Sequence, residues 1–241
     1  MKLSVIIPAY NEQKTIGKLI SLVKKVNLKR YGVKKEIIVV DDGSKDRTPE
    51  IVKKIKGVRF IQRKKNGGKG AAVKTGIKHS TGDIVIIQDA DLEYDPQDSP
   101  KLIKPIIDKK TRVVYGSRFL NPKQKKKNVS FLRRKHSRAY SSAYLGGRFL
   151  TLLANILYNA KITDEATCYK VFDSKLIKSI NIKGDKFEWE PEILAKIRKK
   201  GEKIVEVPIS YRPRSFEEGK KINWKDGVQA IWTLLKYRFV D

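Results

Sequence analysis

The chain has 241 residues, of which 40% are hydrophobic and 33% charged, a composition that suits one large globular α/β domain or two small ones. Lysine and arginine number 54 against 26 acidic residues, and the net charge of +28 favours an anionic partner: nucleic acid, a phosphorylated small molecule or an anionic membrane face. A single cysteine excludes an intrachain disulfide and a Cys/His zinc site. The sequence has no run of 18 apolar residues, so no membrane-spanning helix is predicted.

Basic residues are unevenly distributed along the chain. Residues 109–163 contain 14 Lys or Arg and no Asp or Glu, so they carry half of the net charge. Surface solvation, as in lysine-rich thermophilic proteins, explains part of the overall excess but not this concentration. The first residues, MKLSVIIPAYNE, enter a predicted strand directly, and their apolar run is too short for a secretory signal. We therefore expect a protein of the reducing cytoplasm.

The first half of the chain alternates between predicted strands and helices. Each strand is a short, nearly continuous apolar run, as in buried parallel strands, and apolar residues at helical spacing follow from Ile16 to Val26. This alternation predicts an α/β fold with a doubly wound, mostly parallel sheet and helices on both faces. Ligands of such sheets bind beyond the carboxyl ends of the strands. The predicted strands are residues 3–10, 36–42, 58–62, 83–89 and 113–117.

The second half is less regular, and no linker rich in glycine and serine separates it from the first, so we predict a single domain. Apolar spacing predicts helices at 141–160 and 224–239, and alternation predicts a strand at 203–214. The apolar face of the first helix either dips into a membrane interface or packs on the sheet, and we favour packing. That face comprises Leu145, Phe149, Leu152, Leu153, Ile156 and Leu157, and we expect Trp189, Trp224 and Trp232 to pack as well.

The stretch IVIIQDADLEYDP, residues 84–96, carries four acids at alternate positions in this basic chain. Residues two apart in an extended segment point to the same side, so Asp89 and Asp91 would present their carboxylates together at a strand end. Two hard oxygen ligands and a diphosphate suit Mg²⁺ or Mn²⁺, with Glu93 as a third protein ligand. Two further acids fit a turn and the cap of the next helix, namely Asp95 and Asp98.

Five segments resemble glycosyltransferase family 2 enzymes of the GT-A fold, in order and at similar spacing: VIIPAYNE, VVDDGSKD, NGGKGAA, DIVIIQDADLEYDP and YGSRF. Three later segments look like polyprenyl-phosphate (dolichol-phosphate) mannosyl- or glucosyltransferases: ITDEATCYKVF, FEWEPEILAK and VPISYRPRSFEEGKKINWKDG. The resemblance implies one GT-A domain, with a nucleotide-sugar half at about 1–120 and an acceptor half at about 121–241. It also implies a metal-dependent, inverting transfer of mannose or glucose from GDP-mannose or UDP-glucose to a polyprenyl or dolichyl phosphate.

The resemblance assigns residues to the donor side of this reaction. The segment PAYNE and the second acid of VVDDGS would line the nucleoside pocket. The lysine of NGGKG and two basic residues of RPRSFEEGKKI would reach the donor diphosphate. The acids of DADLE match the metal-binding DxD motif and its neighbour. The donor set is therefore Pro8, Tyr10, Glu12, Asp42, Lys69, Ala90, Arg214 and Lys221, and the metal set is Asp89, Asp91 and Glu93.

On the acceptor side, Arg118 matches a family position near the acceptor phosphate. Arg134 and Ser137 resemble the other phosphate contacts, with Arg133 as the alternative to Arg134. Asp164 stands where members with hydroxyl acceptors place their catalytic base. A phosphate monoester has a second pKa of about 6 and needs no base, so we assign Asp164 to positioning the acceptor. The expected catalytic set is Asp91, Arg118 and Asp164.

The cluster Lys123–Lys127 would attract an anionic membrane surface, so we expect peripheral association with the cytoplasmic face of a membrane. Many members of this group carry C-terminal membrane helices or receive them from a partner, which leaves a membrane-anchoring subunit as a further partner to test. Three alternatives stay open: a family 2 transferase to a sugar hydroxyl, a nucleotidyltransferase and a nucleic-acid binder. The basic run lacks interleaved aromatics and no RNP-like strand is present, so no nucleic-acid partner is expected.

Overall fold

A seven-stranded sheet crosses the part of the molecule that the computed structural model describes, which is residues 1–120, 138–213 and 224–240. Its strands are β1 (Lys2–Ala9), β2 (Lys34–Asp41), β3 (Arg59–Gln62), β4 (Ile84–Ile87), β5 (Val113–Ser117), β6 (Lys170–Asp173) and β7 (Ile204–Pro208). They follow the order β3-β2-β1-β4-β6-β5-β7, and β6 runs antiparallel to its neighbours β4 and β5 while the other pairs are parallel. The predicted α/β class with a mostly parallel sheet is confirmed.

Helices cover both faces of this sheet, as predicted. Alternate residues of β2 enter different hydrophobic clusters: Ile37 and Val39 join the main core, while Ile38 and Val40 pack with Ala72. The helices of the described residues are α1 (Ile16–Lys25), α2 (Thr48–Lys53), α3 (Lys69–His79), α4 (Ser99–Ile107), α5 (Arg138–Tyr158), α6 (Ser174–Lys178), α7 (Trp189–Lys199) and α8 (Trp224–Phe239), with short 3₁₀ turns at Lys29–Tyr31 and Pro96–Asp98.

Several elements of the second half differ from the sequence prediction. Strand β6 was missed because it starts with Lys170, which is fully buried and interrupts the apolar pattern. Helix α7 was missed because it buries two acids, Glu190 and Glu192, and the charged partners of Glu190 come from distant parts of the chain. The strand predicted at 203–214 is shorter than expected, since β7 ends at Pro208, which has no N–H to continue the ladder.

Helices α5 and α8 expose apolar side chains that we expected to pack. Leu153 and Leu157 do pack against the core, and Trp189 of α7 is fully buried. By contrast, Trp224 and Trp232 of α8 are 75% and 65% exposed. The packing prediction is therefore wrong for those two tryptophans and for four residues of α5, namely Leu145, Phe149, Leu152 and Ile156. Within the described ranges, no helix combines the length and apolarity needed to cross a membrane.

Candidate active site

The residues assigned to the nucleoside pocket lie at the carboxyl end of β1. Pro8 is buried in register with Val40 of β2, and Tyr10 is half-buried just beyond the strand. Glu12 is buried in the turn that starts α1, where its carboxylate accepts a hydrogen bond of 2.8 Å from the hydroxyl of Thr15. The three assigned residues therefore occupy the sheet edge at which α/β proteins bind ligands.

Asp42, directly after β2, fastens the NGGKG loop to the sheet. Its carboxylate accepts hydrogen bonds from the N–H groups of Gly67 at 3.1 Å and Gly68 at 2.7 Å, and it pairs with Arg63. Burial raises the pKa of Asp42, although these donors oppose the shift. Gly68 has a φ of 101°, and a β-carbon there would lie 2.5 Å from the carbonyl oxygen of Asp185, so glycine is required. Arg63 had not been singled out in the sequence, and contact of Asp42 with a base or ribose stays a prediction.

Lys69, the first residue of α3, lies between two carboxylates. Its ammonium is 2.9 Å from Asp89 Oδ1 and 2.9 Å from Glu190 Oε1. Burial alone would lower the pKa of Lys69, but Asp89 and Glu190 outweigh it and raise that pKa, so the side chain stays charged. The other oxygen of Glu190 is 3.3 Å from the buried ammonium of Lys170. The four side chains form a row of alternating charge that no local sequence pattern reveals, because its members come from α3, the segment after β4, β6 and α7.

The acidic stretch after β4 is not extended. Strand β4 ends at Ile87, a turn begins at Ala90, and Leu92 has a left-handed φ of 64°. The extended conformation assumed for Asp89 and Asp91 is therefore wrong, and their joint role as ligands stays a prediction. Asp91 instead accepts a hydrogen bond of 3.0 Å from the N–H of Glu93, which is the geometry of an Asx turn.

The other acids of this stretch contact the segment after β7 or their own turn. Glu93 accepts a hydrogen bond of 2.9 Å from the hydroxyl of Tyr211. Asp95 accepts a backbone N–H two residues on at 3.0 Å, which confirms its predicted role in a turn. Asp98 precedes α4 but makes no side-chain cap bond there, and it accepts the N–H of Ser210 at 2.6 Å instead. The cap predicted for Asp98 is therefore wrong, because a tertiary partner has taken its carboxylate.

The donor chemistry of this edge fits a divalent cation. Asp89 and Asp91 supply the carboxylate oxygens that Mg²⁺ and Mn²⁺ prefer, at a strand end where phosphate oxygens of a ligand can complete the shell. Across the described ranges, no group of three His, Cys, Asp or Glu side chains is arranged to hold a metal ion. A cation at these carboxylates would therefore need further ligands from a bound molecule, and the metal roles of Asp89, Asp91 and Glu93 stay predictions.

Arg118 and Asp164 form an ion pair at the end of β5, in which Asp164 is buried and Arg118 is half-buried. The guanidinium Nε and Nη2 donate to the two oxygens of Asp164 at 2.7 and 2.6 Å, and the N–H of Arg118 adds a bond of 2.9 Å. Burial alone would lower the pKa of Arg118, but Asp164 more than reverses this effect. The guanidinium also lies 5.1 Å from the ring centroid of Tyr211. These contacts hold the planar fork in one orientation.

Two further acids support the loop that carries Asp164. Glu206 of β7 accepts the N–H groups of Thr163 at 2.7 Å and Asp164 at 3.0 Å, and its burial raises its pKa against these hydrogen bonds. Glu165 is 1% exposed, and burial raises its pKa to about 7. Its Oε1 has no hydrogen-bond partner among the described residues. Sequence reasoning identified neither Glu206 nor Glu165 as a site residue, because each resembles an ordinary exposed acid until its burial is known.

Part of the predicted site lies outside the residues that the structure describes. These positions include the two basic residues predicted to contact the donor diphosphate and most of the predicted acceptor-phosphate contacts, so their roles stay predictions. The positions are Lys123–Lys127, Arg133, Arg134, Ser137, Arg214 and Lys221.

The family profile described as Glycosyl transferase family 2 matches residues 4–180, a range that includes the ends of β1, β2 and β4 and the Arg118–Asp164 pair. The chain belongs to glycosyltransferase family 2. This glycosyltransferase has the GT-A fold and is similar to glucosyl-3-phosphoglycerate synthase from Mycobacterium tuberculosis, which was crystallised with Mn²⁺, UDP and phosphoglyceric acid. The TM-score is 0.72 at 21% identity, over 100% of this chain and 79% of that one. The family and fold implied by the resemblance are confirmed.

Two relatives of this glycosyltransferase are named for a dolichyl phosphate acceptor. A dolichol-phosphate mannosyltransferase from Pyrococcus furiosus is 33% identical over 91% of this chain, which spans 59% of that protein. A UDP-N-acetylglucosamine–dolichyl-phosphate N-acetylglucosaminyltransferase from Methanococcus voltae is 30% identical over 96% of this chain and 94% of its own length. The two relatives differ in the sugar that their names specify.

Proposed function

We propose that this glycosyltransferase moves a hexose, mannose or glucose, from a GDP- or UDP-linked donor to a polyprenyl or dolichyl phosphate, with inversion. The Arg118–Asp164 pair carries the proposal, because it fixes a cation at the predicted acceptor phosphate and occupies the carboxylate that a hydroxyl acceptor would need as a base. A phosphate monoester, with its second pKa of about 6, is already an unprotonated nucleophile at neutral pH. The two dolichyl-phosphate relatives, at 33% and 30% identity, support the same acceptor.

On the donor side, Asp89 and Asp91 would hold Mg²⁺ or Mn²⁺, which neutralises charge on the departing nucleoside diphosphate. Lys69 follows the loop that Asp42 fastens, so its ammonium lies close to the predicted diphosphate position. A phosphate oxygen of the acceptor attacks the anomeric carbon from the face opposite the diphosphate. The new C–O bond forms as the bond to the diphosphate breaks, and the electron pair leaves with the diphosphate. Orientation and electrostatics then account for most of the catalysis.

The proposal also includes peripheral association with the cytoplasmic face of a membrane. Helices α5 and α8 pack against each other, and the hydroxyl of Tyr158 donates to the carbonyl of Leu234 at 2.5 Å. Each helix leaves apolar residues in solvent at spacings of three or four, which places them on one side of that helix. Exposed basic residues, Arg148, Lys225 and Arg238, lie on the same helices and suit anionic headgroups. The exposed set is Leu145, Phe149, Leu152, Ile156, Trp224, Val228, Trp232, Leu235 and Phe239.

Transfer of radiolabelled sugar tests the proposal. The protein is incubated with Mn²⁺ or Mg²⁺, dolichyl phosphate in vesicles, and GDP-mannose, UDP-glucose or UDP-N-acetylglucosamine, the last because of the Methanococcus voltae relative. We expect label in the lipid extract that mild acid releases, together with a nucleoside diphosphate. An acid-stable product would indicate a hydroxyl acceptor, and release of pyrophosphate would indicate a nucleotidyltransferase. No transfer from any of the three donors would contradict the proposal.

A further inference from the structure

Asp89 gives both of its carboxylate oxygens to the same ammonium. Nζ of Lys69 lies 2.9 Å from Oδ1 and 3.0 Å from Oδ2 of Asp89. A divalent cation that takes Asp89 as a ligand needs at least one of these oxygens, and it would repel an ammonium held at the same carboxylate. Lys69 and the cation therefore compete for Asp89.

Glu190 offers the same ammonium a second carboxylate. Its Oε1 is 2.9 Å from Nζ of Lys69, and its Oε2 is 3.3 Å from Nζ of Lys170. Lys170 is in turn held by the carbonyl oxygens of Glu165 at 2.9 Å and Thr167 at 2.5 Å, in a fully buried position. Lys170 therefore holds Glu190 in place. The flexible side chain of Lys69 can turn its ammonium away from Asp89 and still keep Glu190 as a charged partner.

We propose that Lys69 is an intramolecular competitor of the divalent cation at Asp89, and that Glu190 weakens this competition by receiving the displaced ammonium. The inference rests on the proposed function, because that function places the cation at Asp89 and Asp91. Glu190 is then a positioning residue that acts through Lys69. Cation binding is weak in the protein alone and becomes strong with the nucleotide, whose diphosphate supplies ligands to the cation and a new partner to Lys69.

Binding of Mn²⁺ alone tests this inference without a catalytic readout. The full chain is titrated with Mn²⁺, and free Mn²⁺ is followed by electron paramagnetic resonance. Lys69→Gln removes the competitor and is expected to tighten Mn²⁺ binding about tenfold, whereas Glu190→Gln leaves Lys69 on Asp89 and should weaken it severalfold. Lys74→Gln is the matched control, since Lys74 lies on the same helix and pairs with Asp185 at 2.7 Å. It removes the same charge away from Asp89 and should change the affinity less than about twofold.

Equal Mn²⁺ affinity in the wild type and Lys69→Gln, including no detectable binding by either, would overturn the inference. Weaker binding by both Lys69→Gln and Lys69→Met would also overturn it, because Lys69 would then support the pocket and not compete. These two variants decide the matter even if Glu190→Gln fails to fold. Asp89→Asn separates the inference from the proposed function. Unchanged Mn²⁺ binding in Asp89→Asn would reject the metal site itself. If Asp89→Asn loses Mn²⁺ binding but Lys69→Gln does not bind Mn²⁺ more tightly than the wild type, only the competition is rejected.

Discussion

Arg118 and Asp164 bind each other through side-chain hydrogen bonds of 2.7 and 2.6 Å, although the sequence assigned one to the acceptor phosphate and the other to the position of a base. Because Asp164 already accepts hydrogen bonds at both oxygens, it orients the guanidinium and is poorly placed to take a proton from an acceptor. This pairing supports the proposed transfer to a phosphate oxygen, which needs no protein base, over transfer to a sugar hydroxyl.

Replacing Arg118 should impair use of the acceptor much more than binding of the donor. We expect Arg118→Ala to lower kcat/KM for dolichyl phosphate about 100-fold, because a charge-assisted contact with the acceptor phosphate is lost. Nucleotide affinity, measured by thermal shift, should change less than about twofold. Arg112→Ala is the control, since Arg112 pairs with Asp173 and Glu202, both at 2.8 Å, and has no assigned role. Equal losses for donor and acceptor would contradict the acceptor assignment.

Asp164→Asn distinguishes a positioning role from a catalytic base. If Asp164 only orients Arg118, KM for dolichyl phosphate should rise about tenfold while the pH dependence of kcat keeps its shape. A general base would instead contribute about 10²-fold or more to kcat, and its removal would abolish the acidic limb of the profile. Initial rates across pH 5.5–9 at saturating donor give both readouts; a collapse of kcat with unchanged KM would refute positioning.

Removing Asp91 or chelating the cation should stop transfer. We expect Asp91→Ala to lower kcat about 100-fold or more, since a bound cation supplies several kcal/mol of charge stabilisation at the leaving group. Excess EDTA should have the same effect on the wild type, and added Mn²⁺ should reverse it. Asp95→Ala is the matched control, because Asp95 belongs to the same acidic stretch but serves only its turn. Full activity of Asp91→Ala, or of the wild type in EDTA, would remove the metal from the mechanism.

Glu165 should make the protein less stable as the pH rises through neutrality. Burial raises the pKa of Glu165 from 4.5 to about 7. Between these values the folded state keeps a proton that the unfolded state has lost, so the free energy of unfolding falls with rising pH. Urea unfolding at pH 5 and pH 8 should show Glu165→Gln gaining about 3 kcal/mol relative to the wild type between the two conditions. No relative gain would contradict the raised pKa.

Glu36 provides the control of opposite sign for that measurement. Burial would raise the pKa of Glu36, but hydrogen bonds from Ser4, Thr81 and Lys2 lower it to about 2. Its contribution to stability is therefore present above about pH 4.5 and is lost only as the pH falls toward 2. Glu36→Gln should consequently leave the difference in unfolding free energy between pH 5 and pH 8 unchanged.

The exposed faces of α5 and α8 should govern binding to lipid. We expect the double variant Ile156→Ser and Trp232→Ser to weaken co-sedimentation with phosphatidylserine vesicles at least about tenfold, since full burial of a large apolar side chain contributes about 1.5–3 kcal/mol. Its melting temperature should not fall, because the two side chains are 70% and 65% exposed. Gln229→Ala, an exposed position on α8, should bind like the wild type. Unchanged co-sedimentation of the double variant would show that these faces do not bind lipid, and a protein partner would then be the alternative.

Local sequence alone specified the parallel half of the sheet and the place of the site. The apolar runs that became β1, β2 and β4 are buried on both faces by helices, and their nearly continuous apolar pattern is therefore recognisable from local sequence. The carboxyl ends of such strands must meet at one edge of the sheet, so the sequence alone places Pro8, Asp42 and Asp89 at the same edge. The family and its fold followed from the same segments.

Only the folded chain decided how the charged residues pair. Lys170 can lie in a buried strand because Glu190, from a helix, neutralises its charge. Asp98 accepts a hydrogen bond from the backbone N–H of Ser210 and does not cap its own helix. The exposure of Trp232 likewise depends on which face of α8 meets α5. A lone charge is too costly to bury, so its position depends on partners that folding brings from elsewhere in the chain. Apolar burial is tolerant of its partner, whereas charge pairing is specific, and that difference separates what the sequence could predict from what the tertiary structure had to supply.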